Sequence, residues 1–418
     1  MISPKNLKVV IKELQQNVDV LVNSICQLLI KPIRDPITLD SDINHDDSII
    51  EKILSEIKMN DILFISTDGS SINTQEYTRT VGLNATVNLL WGPEFDVPII
   101  IKKYRESEFQ IPSLISTERI QQELITPICI LTTIKTGELP CKDCPILKNN
   151  CILKSKKNIL RDLTNFRAIG ILDLTIDFSF IKKQAHVSPQ AKNLILNTVK
   201  WVYRQIRDNN LEIIFITHGS RDKRFMYEIK NDIDYMFKRS GEFDTKLIEE
   251  IKKYCENNRN DDKFSSIRNT LRDFVRDFKV ISHNYTDFDL FRSYFNKKGN
   301  STPLFQIKDP NSLEYYEGVE TGYMLTTWGY FELIDNKFLY VPLDDIKVGF
   351  PLNSDPEFLY KLFLFDTALG KGHSLSLTLA HTLISPGRKT RELLSQILAD
   401  LHQIPKSLKN IQKWRFMK

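Results

Sequence analysis

The chain has 418 residues, 41% hydrophobic and 26% charged, a balance that supports a sizeable core and excludes a disordered or fibrous chain. Its net charge of +4 is the small remainder of 57 basic and 53 acidic residues, so contact with a polyanion must come from local clusters. No apolar run approaches the roughly 18 to 20 residues of a membrane span, and charges interrupt the opening "MISPKNLKVV", so a cytoplasmic location and no membrane partner are expected.

From Pro4 to Ile30 apolar residues recur at helical spacing (Leu7, Val10, Ile11, Leu14, Val18), which predicts an amphipathic helix over about residues 1–35, suited to docking on a partner or a second copy. An acidic, polar segment from Pro36 reads as a linker. "DILFIST", "TRTVGLNATVNLLWG" and "VPIIIKKYRE" follow as strands of an antiparallel meander, the first expected to end at Asp68-Gly69-Ser70. A short helix at "STERIQQELI" and an apolar "TPICILTTI" lead to the cysteine segment and to a strand, "AIGILDLTIDFSFI". "SPQAKNLILNTVKWVYRQIRDNN" carries a Ser-Pro start and one apolar side, a helix that feeds the buried strand "LEIIFITHGS". A charged helical insertion is expected over 221–300. Strands through "GYMLTTWGYFELIDNKFLYVPL" and helices through "LSLTLAHTLI" and "TRELLSQILADLHQI" close the chain over 301–418.

Two strands thus finish on a polar residue before Gly-Ser, at Asp68 and at His218. Were they neighbours in one sheet, both side chains would share an edge, where metal-dependent sites are assembled; the alternative is a pair of tight turns. The chain has seven histidines, and His373 and His381 flank one short segment, "HSLSLTLAH". Asp173 and Asp177 on "GILDLTIDF" share side-chain parity and would join Asp68 if their strands were adjacent.

Cys141, Cys144 and Cys151 have the spacing C-x2-C-x6-C, and Cys129 is the nearest fourth ligand. Thiolates at such spacing reach one zinc ion or one four-iron iron–sulfur centre, here with a structural role. Basic clusters offer phosphate contacts, above all Arg221, Lys223 and Arg224 directly after His218.

In order of elements, residues 55–400 resemble the NurA family of nucleases. That family has an RNase H-like α/β core, a mixed sheet with flanking helices, whose first strand ends in Asp-Gly-Ser and whose closing motif is Tyr-Pro-x-Pro-Leu-x-x-Ala-His. Asp68 matches the first catalytic carboxylate. Leu377, Ala380 and His381 match the closing motif, with His373 where its tyrosine stands. In the family a glutamate from the long helix and an aspartate from the next strand complete the metal site. By this alignment the helix between Gln190 and Arg207 has no acidic residue and His218 replaces the aspartate, so Asp222, Asp173 and imidazoles are the candidates to make up a Mn²⁺ or Mg²⁺ site. The resemblance implies a core over 55–220 with a cysteine-rich insertion at 129–151. It also implies metal-dependent cleavage of DNA in end processing or repair, a homodimer, and a HerA-type ATPase translocase as partner. The alternative is a scaffold of the same fold that binds DNA without cutting.

Overall fold

A computed structural model describes residues 33–38, 46–75, 80–93, 95, 97–109, 113–141, 144–145, 151–174, 189–219, 286–307, 317–334 and 337–385. The helices expected over Pro4–Ile30, within 221–285 and beyond 385 lie outside these residues. The chain divides into two compact units. One comprises Met1–Leu39, His218–Phe305 and Met324–Ile346; the other comprises Asp40–Thr217, Gln306–Tyr323 and Lys347–Lys418.

In the second unit the expected meander is present. Strand β1 (Ile62–Gln75) pairs antiparallel with β2 (Thr80–Trp91), and β2 with β3 (Ile99–Phe109). Ile62, Leu63, Phe64 and Ile65 are all buried, as a strand covered on both faces requires. On β3, buried Ile101 is followed by exposed Lys102 and Tyr104, the composition of a protected edge. β1 does not stop at Asp68. It runs on through Gly69-Ser70-Ser71 in unbroken register with β2, because a Gly-Ser run can stay extended when a ladder holds it.

Beyond the meander, β4 (Arg167–Asp173) lies parallel to β1, and β5 (Glu212–His218) lies parallel to β4. Parallel neighbours need crossovers, and the helices supply them. The sheet order is β3-β2-β1-β4-β5-β8-β7-β6, with β6 at Phe305–Gln306, β7 at Thr321–Ile334 and β8 at Lys337–Pro351. The 3-2-1-4-5 portion, with a meander followed by two parallel strands, is the RNase H-like arrangement expected of the α/β core. β1 and β5 are therefore not neighbours, since β4 separates them.

The helices are α1 (Asp46–Glu56), α2 (Ser113–Thr136), α3 (Lys157–Arg161), α4 (Pro189–Asn209), α5 (Asp287–Leu290), α6 (Pro356–Leu369) and α7 (Leu375–Ile384). α1 begins inside the segment read as a linker; Asp46 and Asp47 occupy its first turn, where acidic residues favour the helix dipole. α2 is one helix of 24 residues, although "STERIQQELI" and "TPICILTTI" read as separate pieces around Pro127. Proline removes one N–H, the donor to the Glu123 carbonyl, and a helix buried along most of its length tolerates that local loss. α2 packs on the sheet at Gly82, beside Ile115, and at Gly170, beside Leu131. Gln121 Nε2 donates to Thr198 Oγ1 of α4 at 3.0 Å.

α7 covers the opposite face. Its Ala380 and Ile384 form a cluster with Val87 and Leu89 of β2. The entry to α7 is fixed by a buried polar network around Asp366 of α6. Asp366 accepts from the Ser374 hydroxyl, from Ser376 N at 3.0 Å and from Ser376 Oγ at 2.6 Å. Ser374 also caps the helix, accepting from Leu377 N, and Ser376 Oγ accepts from Trp91 Nε1 at 2.7 Å. Ser66 Oγ of β1 donates to Ser376 O at 2.8 Å, which ties the helix start to the strand that bears Asp68.

Candidate functional site

Asp68 sits in mid-strand on the face toward α7. Ser66, two residues earlier and so on the same face, reaches the start of that helix, and His381 in its last turn reaches Asp68 itself. His381 Nδ1 lies 2.7 Å from Asp68 Oδ2, while Asp68 Oδ1 accepts from Gly69 N at 2.7 Å. The pairing orients the imidazole: with Nδ1–H held by the carboxylate, Nε2 is the nitrogen left to face a substrate. His381 is 67% exposed and Asp68 24%, so the pair stands at an open surface.

The parallel ladder of β1 and β4 pairs Thr67 with Leu172, so Asp68 and Asp173 are the next residues on two adjacent strands and share a face. Strand adjacency, the condition on which Asp173 depended, is met. Asp177 lies outside the described residues.

A further carboxylate comes from α2. Glu123 approaches β1 at Gly69, where an added Cβ would fall 2.1 Å from Glu123 Oε1. Arg119 bridges the same elements, with Nη1 donating to Gly69 O at 2.9 Å and lying 3.4 Å from Glu123 Oε1. The Glu123 side chain is 12% exposed, and its Oε1 is buried without a hydrogen bond. Burial, partly offset by Arg119 and reinforced by the negative charges of Asp68 and Asp173, pushes its pKa up to about 7. Asp68, Glu123 and Asp173 thus share one electrostatic environment. Among the described residues no three of their oxygens and the His381 nitrogens lie within 4.8 Å of one another.

Glu118, five positions earlier on α2, has a different task. It is buried between Asn84 Nδ2 at 3.2 Å and Arg105 Nε at 2.9 Å, a satisfied ion pair. The resemblance puts the family's glutamate on the helix between Gln190 and Arg207, which is α4, whereas the helix that meets the Asp68 strand at Gly69 is α2.

His218 ends β5, and its Nδ1 lies 2.6 Å from Asp344 Oδ2 of β8; Gly219 N donates to Asp344 Oδ1 at 3.1 Å. His373 is exposed in the turn between α6 and α7. Asp222, Arg221, Lys223 and Arg224 lie outside the described residues.

Cys129, Cys141, Cys144 and Cys151 are free thiols, and among the described residues no three of their sulfurs lie within 4.8 Å of one another, so the expected zinc or iron–sulfur site is not supported. Cys129 is buried in α2, and its thiol is hydrogen-bonded to Cys144. That bond, burial, and the charges of Cys144, Cys151 and Cys141 all push the Cys129 thiol well up.

Next to the Asp68–His381 pair is a groove of about 230 Å³, lined by Ser70, Ile72, Leu83, Tyr104, Leu383 and Ser385, among others. Tyr104 is 63% exposed at its side. Lys102 Nζ reaches Leu383 O at 3.3 Å.

No protein-family profile and no curated protein matches this sequence. Among solved structures, the chain is similar to the NurA nuclease from Sulfolobus solfataricus, 11% identical, with a TM-score of 0.46 over 96% of this chain and 95% of that one. A structure of NurA bound to dAMP and manganese is 10% identical, with a TM-score of 0.30 over 93% of this chain and 94% of that one. A type 1 RNase H with the type 2 active-site motif (LC9-RNase H1) covers 40% of this chain and 68% of its own, at 9% identity and a TM-score of 0.20. The family that the motifs resemble thus recurs among the structural neighbours. No helix among the described residues is long and apolar enough to cross a membrane.

Proposed function

We propose that the chain is a metal-dependent nuclease acting on DNA, with Asp68, Glu123 and Asp173 as the carboxylates that hold Mn²⁺ or Mg²⁺. The observation that carries this reading is the seating of Glu123 against Gly69, within electrostatic reach of Asp68 and Asp173 on adjacent strands. Hard divalent cations prefer carboxylate oxygen, and the buried Glu123 Oε1, which makes no hydrogen bond and faces Arg119 at 3.4 Å, is the kind of atom that a cation satisfies. A bound ion would polarise the scissile phosphate and lower the pKa of a water. Asp68 orients His381, whose Nε2 is placed to hold or deliver a proton at the phosphate oxygens. The groove beside it suits a nucleotide, with Tyr104 as a stacking face and Lys102 near the backbone charge. Manganese and dAMP, bound by a structural neighbour, are of this chemistry.

The scaffold alternative drew its weight from missing carboxylates; Glu123 and Asp173, as candidate ligands, support the nuclease reading over it. A homodimer and a HerA-type ATPase remain part of the proposal through the family resemblance.

The test is cleavage of linear single- and double-stranded DNA in Mn²⁺, comparing wild type with Asp68→Ala and Glu123→Gln. Cutting that is lost in both variants and on chelation supports the reading. Wild-type protein that binds DNA without cutting it, with or without such an ATPase, would return the chain to the scaffold class.

A further inference from the structure

We propose that a basic surface built by Lys135, Lys154, Lys156, Lys157 and Arg161 grips the sugar–phosphate backbone of a nucleic acid strand, without regard to its base sequence. The residues come from two stretches that the fold brings together: the last turn of α2, and the 3₁₀ turn Ile152–Lys156 with the helix α3 that continues it. Buried Leu153, Leu160 and Leu163 anchor the second stretch to the core, which leaves the basic positions between them at the surface. Arg161 joins the two stretches, since its Nε donates to the carbonyl of Gly137, directly after α2, at 2.7 Å. Lys135 Nζ donates to Asn210 O at 2.6 Å.

The charge of this surface is not neutralised. Arg167, Arg204 and Arg207, in the same compact unit, each face a carboxylate, on Glu212, Glu317 and Asp208 respectively. The five cations of the surface form no ion pair with a described residue, and the carbonyls that hold Arg161 and Lys135 orient their charge without cancelling it. Glu138 and Asp162 flank the cluster in sequence and pair with none of its members. From Cys151 to Asp162 the chain carries four basic residues and one acidic, a net +3 (4 − 1), in a protein whose whole net charge is +4.

Spacing and composition select the partner. Lys154 to Lys157 is three steps of about 2 Å, and Lys157 to Arg161 is four steps of about 1.5 Å, one turn apart on a shared face. Four cations along roughly 12 Å approach the charge density of one nucleic acid strand, about one phosphate per 3.4 Å. A protein partner would call for an apolar centre, and lysine is depleted at such interfaces. Among the described residues of Cys151–Arg161, Ile159 is the one large apolar side chain that is exposed. The surface offers amines and a guanidinium, which suit phosphate oxygens and carry no base readout by themselves. Lys135, in the last turn of α2, lies twelve residues after Glu123, about 18 Å along the helix axis. DNA held at both places would be gripped over about five nucleotide steps. That consequence rests on the nuclease reading; the surface itself does not.

The experiment is fluorescence anisotropy of a labelled single-stranded DNA of mixed sequence, titrated with the full chain in EDTA over a salt series. Wild type is compared with Lys154→Ala/Lys156→Ala and with a charge-matched control, Lys52→Ala/Lys58→Ala, and circular dichroism confirms folding. Loss of two phosphate contacts should lower the slope of log K against log salt by about 1.4, at about 0.7 per contact, and weaken binding tenfold or more at low salt, whereas the control changes the slope little. Lys154→Arg/Lys156→Arg should restore binding. Equal loss in the patch and control pairs, or an unchanged slope in the patch pair, would overturn the surface. So would polyglutamate that competes as well as DNA of equal charge, which would assign the patch to an acidic protein. Binding that depends on the patch in a chain that never cuts DNA in Mn²⁺ would count against the nuclease reading alone; cutting by a chain whose DNA binding ignores the patch would count against the surface alone.

Discussion

Asp68 of β1, facing α7, and Glu123 of α2, packed over Gly69, have different surroundings. Asp68 is stabilised by Gly69 N and His381, whereas Glu123 is buried and flanked by like charges that raise its pKa to about 7. Two expectations follow for pH. Metal binding requires the ionised form, so Mn²⁺-dependent cutting should rise as pH climbs through about 7 and level off above it, as a pH–rate profile at fixed Mn²⁺ would measure. For the metal-free chain the sign runs the other way. A folded-state pKa above the ordinary 4.5 favours the folded form at low pH, and that advantage is lost as pH rises from 4.5 through about 7. Glu123→Gln should therefore stabilise the metal-free chain at pH 8 by on the order of 3 kcal/mol, and by little at pH 4, while lowering cleavage about a hundredfold or more. Urea melts at the two pH values check the first part; equal stability at both would contradict the buried charge.

The decisive contacts between elements are the approach of α2 to β1 and the seating of α7. At Gly69 the backbone is ordinary strand, so Gly69→Ala adds no backbone strain; its Cβ would collide with the Glu123 carboxylate, the far end of a flexible side chain. The expected result is a large loss of cleavage with a small change in melting temperature, the reverse of a core defect. Ser376→Ala tests the other contact. It removes the hydroxyl between Trp91 Nε1 and Asp366 Oδ1, leaving both buried groups short of a partner. A loss of about 1–3 kcal/mol in urea unfolding is expected, with cleavage lowered at subsaturating denaturant before global unfolding, because α7 carries His381.

At the scale of the whole molecule, the proposed cation would join residues of β1, α2 and β4 that are far apart in sequence, and would therefore bind the folded chain and not the unfolded one. Mn²⁺ should raise the melting temperature of wild type, by RT ln(1 + [Mn²⁺]/Kd) in free energy, and raise that of Asp68→Ala far less. Differential scanning fluorimetry over a Mn²⁺ series measures this without any substrate. An equal shift in both proteins would place the ion elsewhere.

The sequence by itself determined the local grammar of this protein. Strand-forming apolar runs bounded by Gly, Pro or Asn turns marked β1 to β3, period 3.6 marked α4, and Ser-Pro marked the start of that helix, because these patterns record what each segment buries. It also singled out Asp68, His381 and the cysteines, since such residues in apolar or closely spaced settings carry a chemical cost that calls for a reason. Only the tertiary structure decided what meets what. A strand's neighbours depend on its crossovers, so Asp173 became the companion of Asp68 through β4, and His218, one strand farther on, went to Asp344. Pro127 and the Gly69-Ser70-Ser71 run read as breaks because local propensity disfavours them, and long-range ladder and burial energies overrode that preference. Glu123 was hidden for the same reason: its role is set by a Cβ-sized gap opposite it, at a residue 54 positions away in the sequence (123 − 69), and a chain read in one dimension contains no record of that gap.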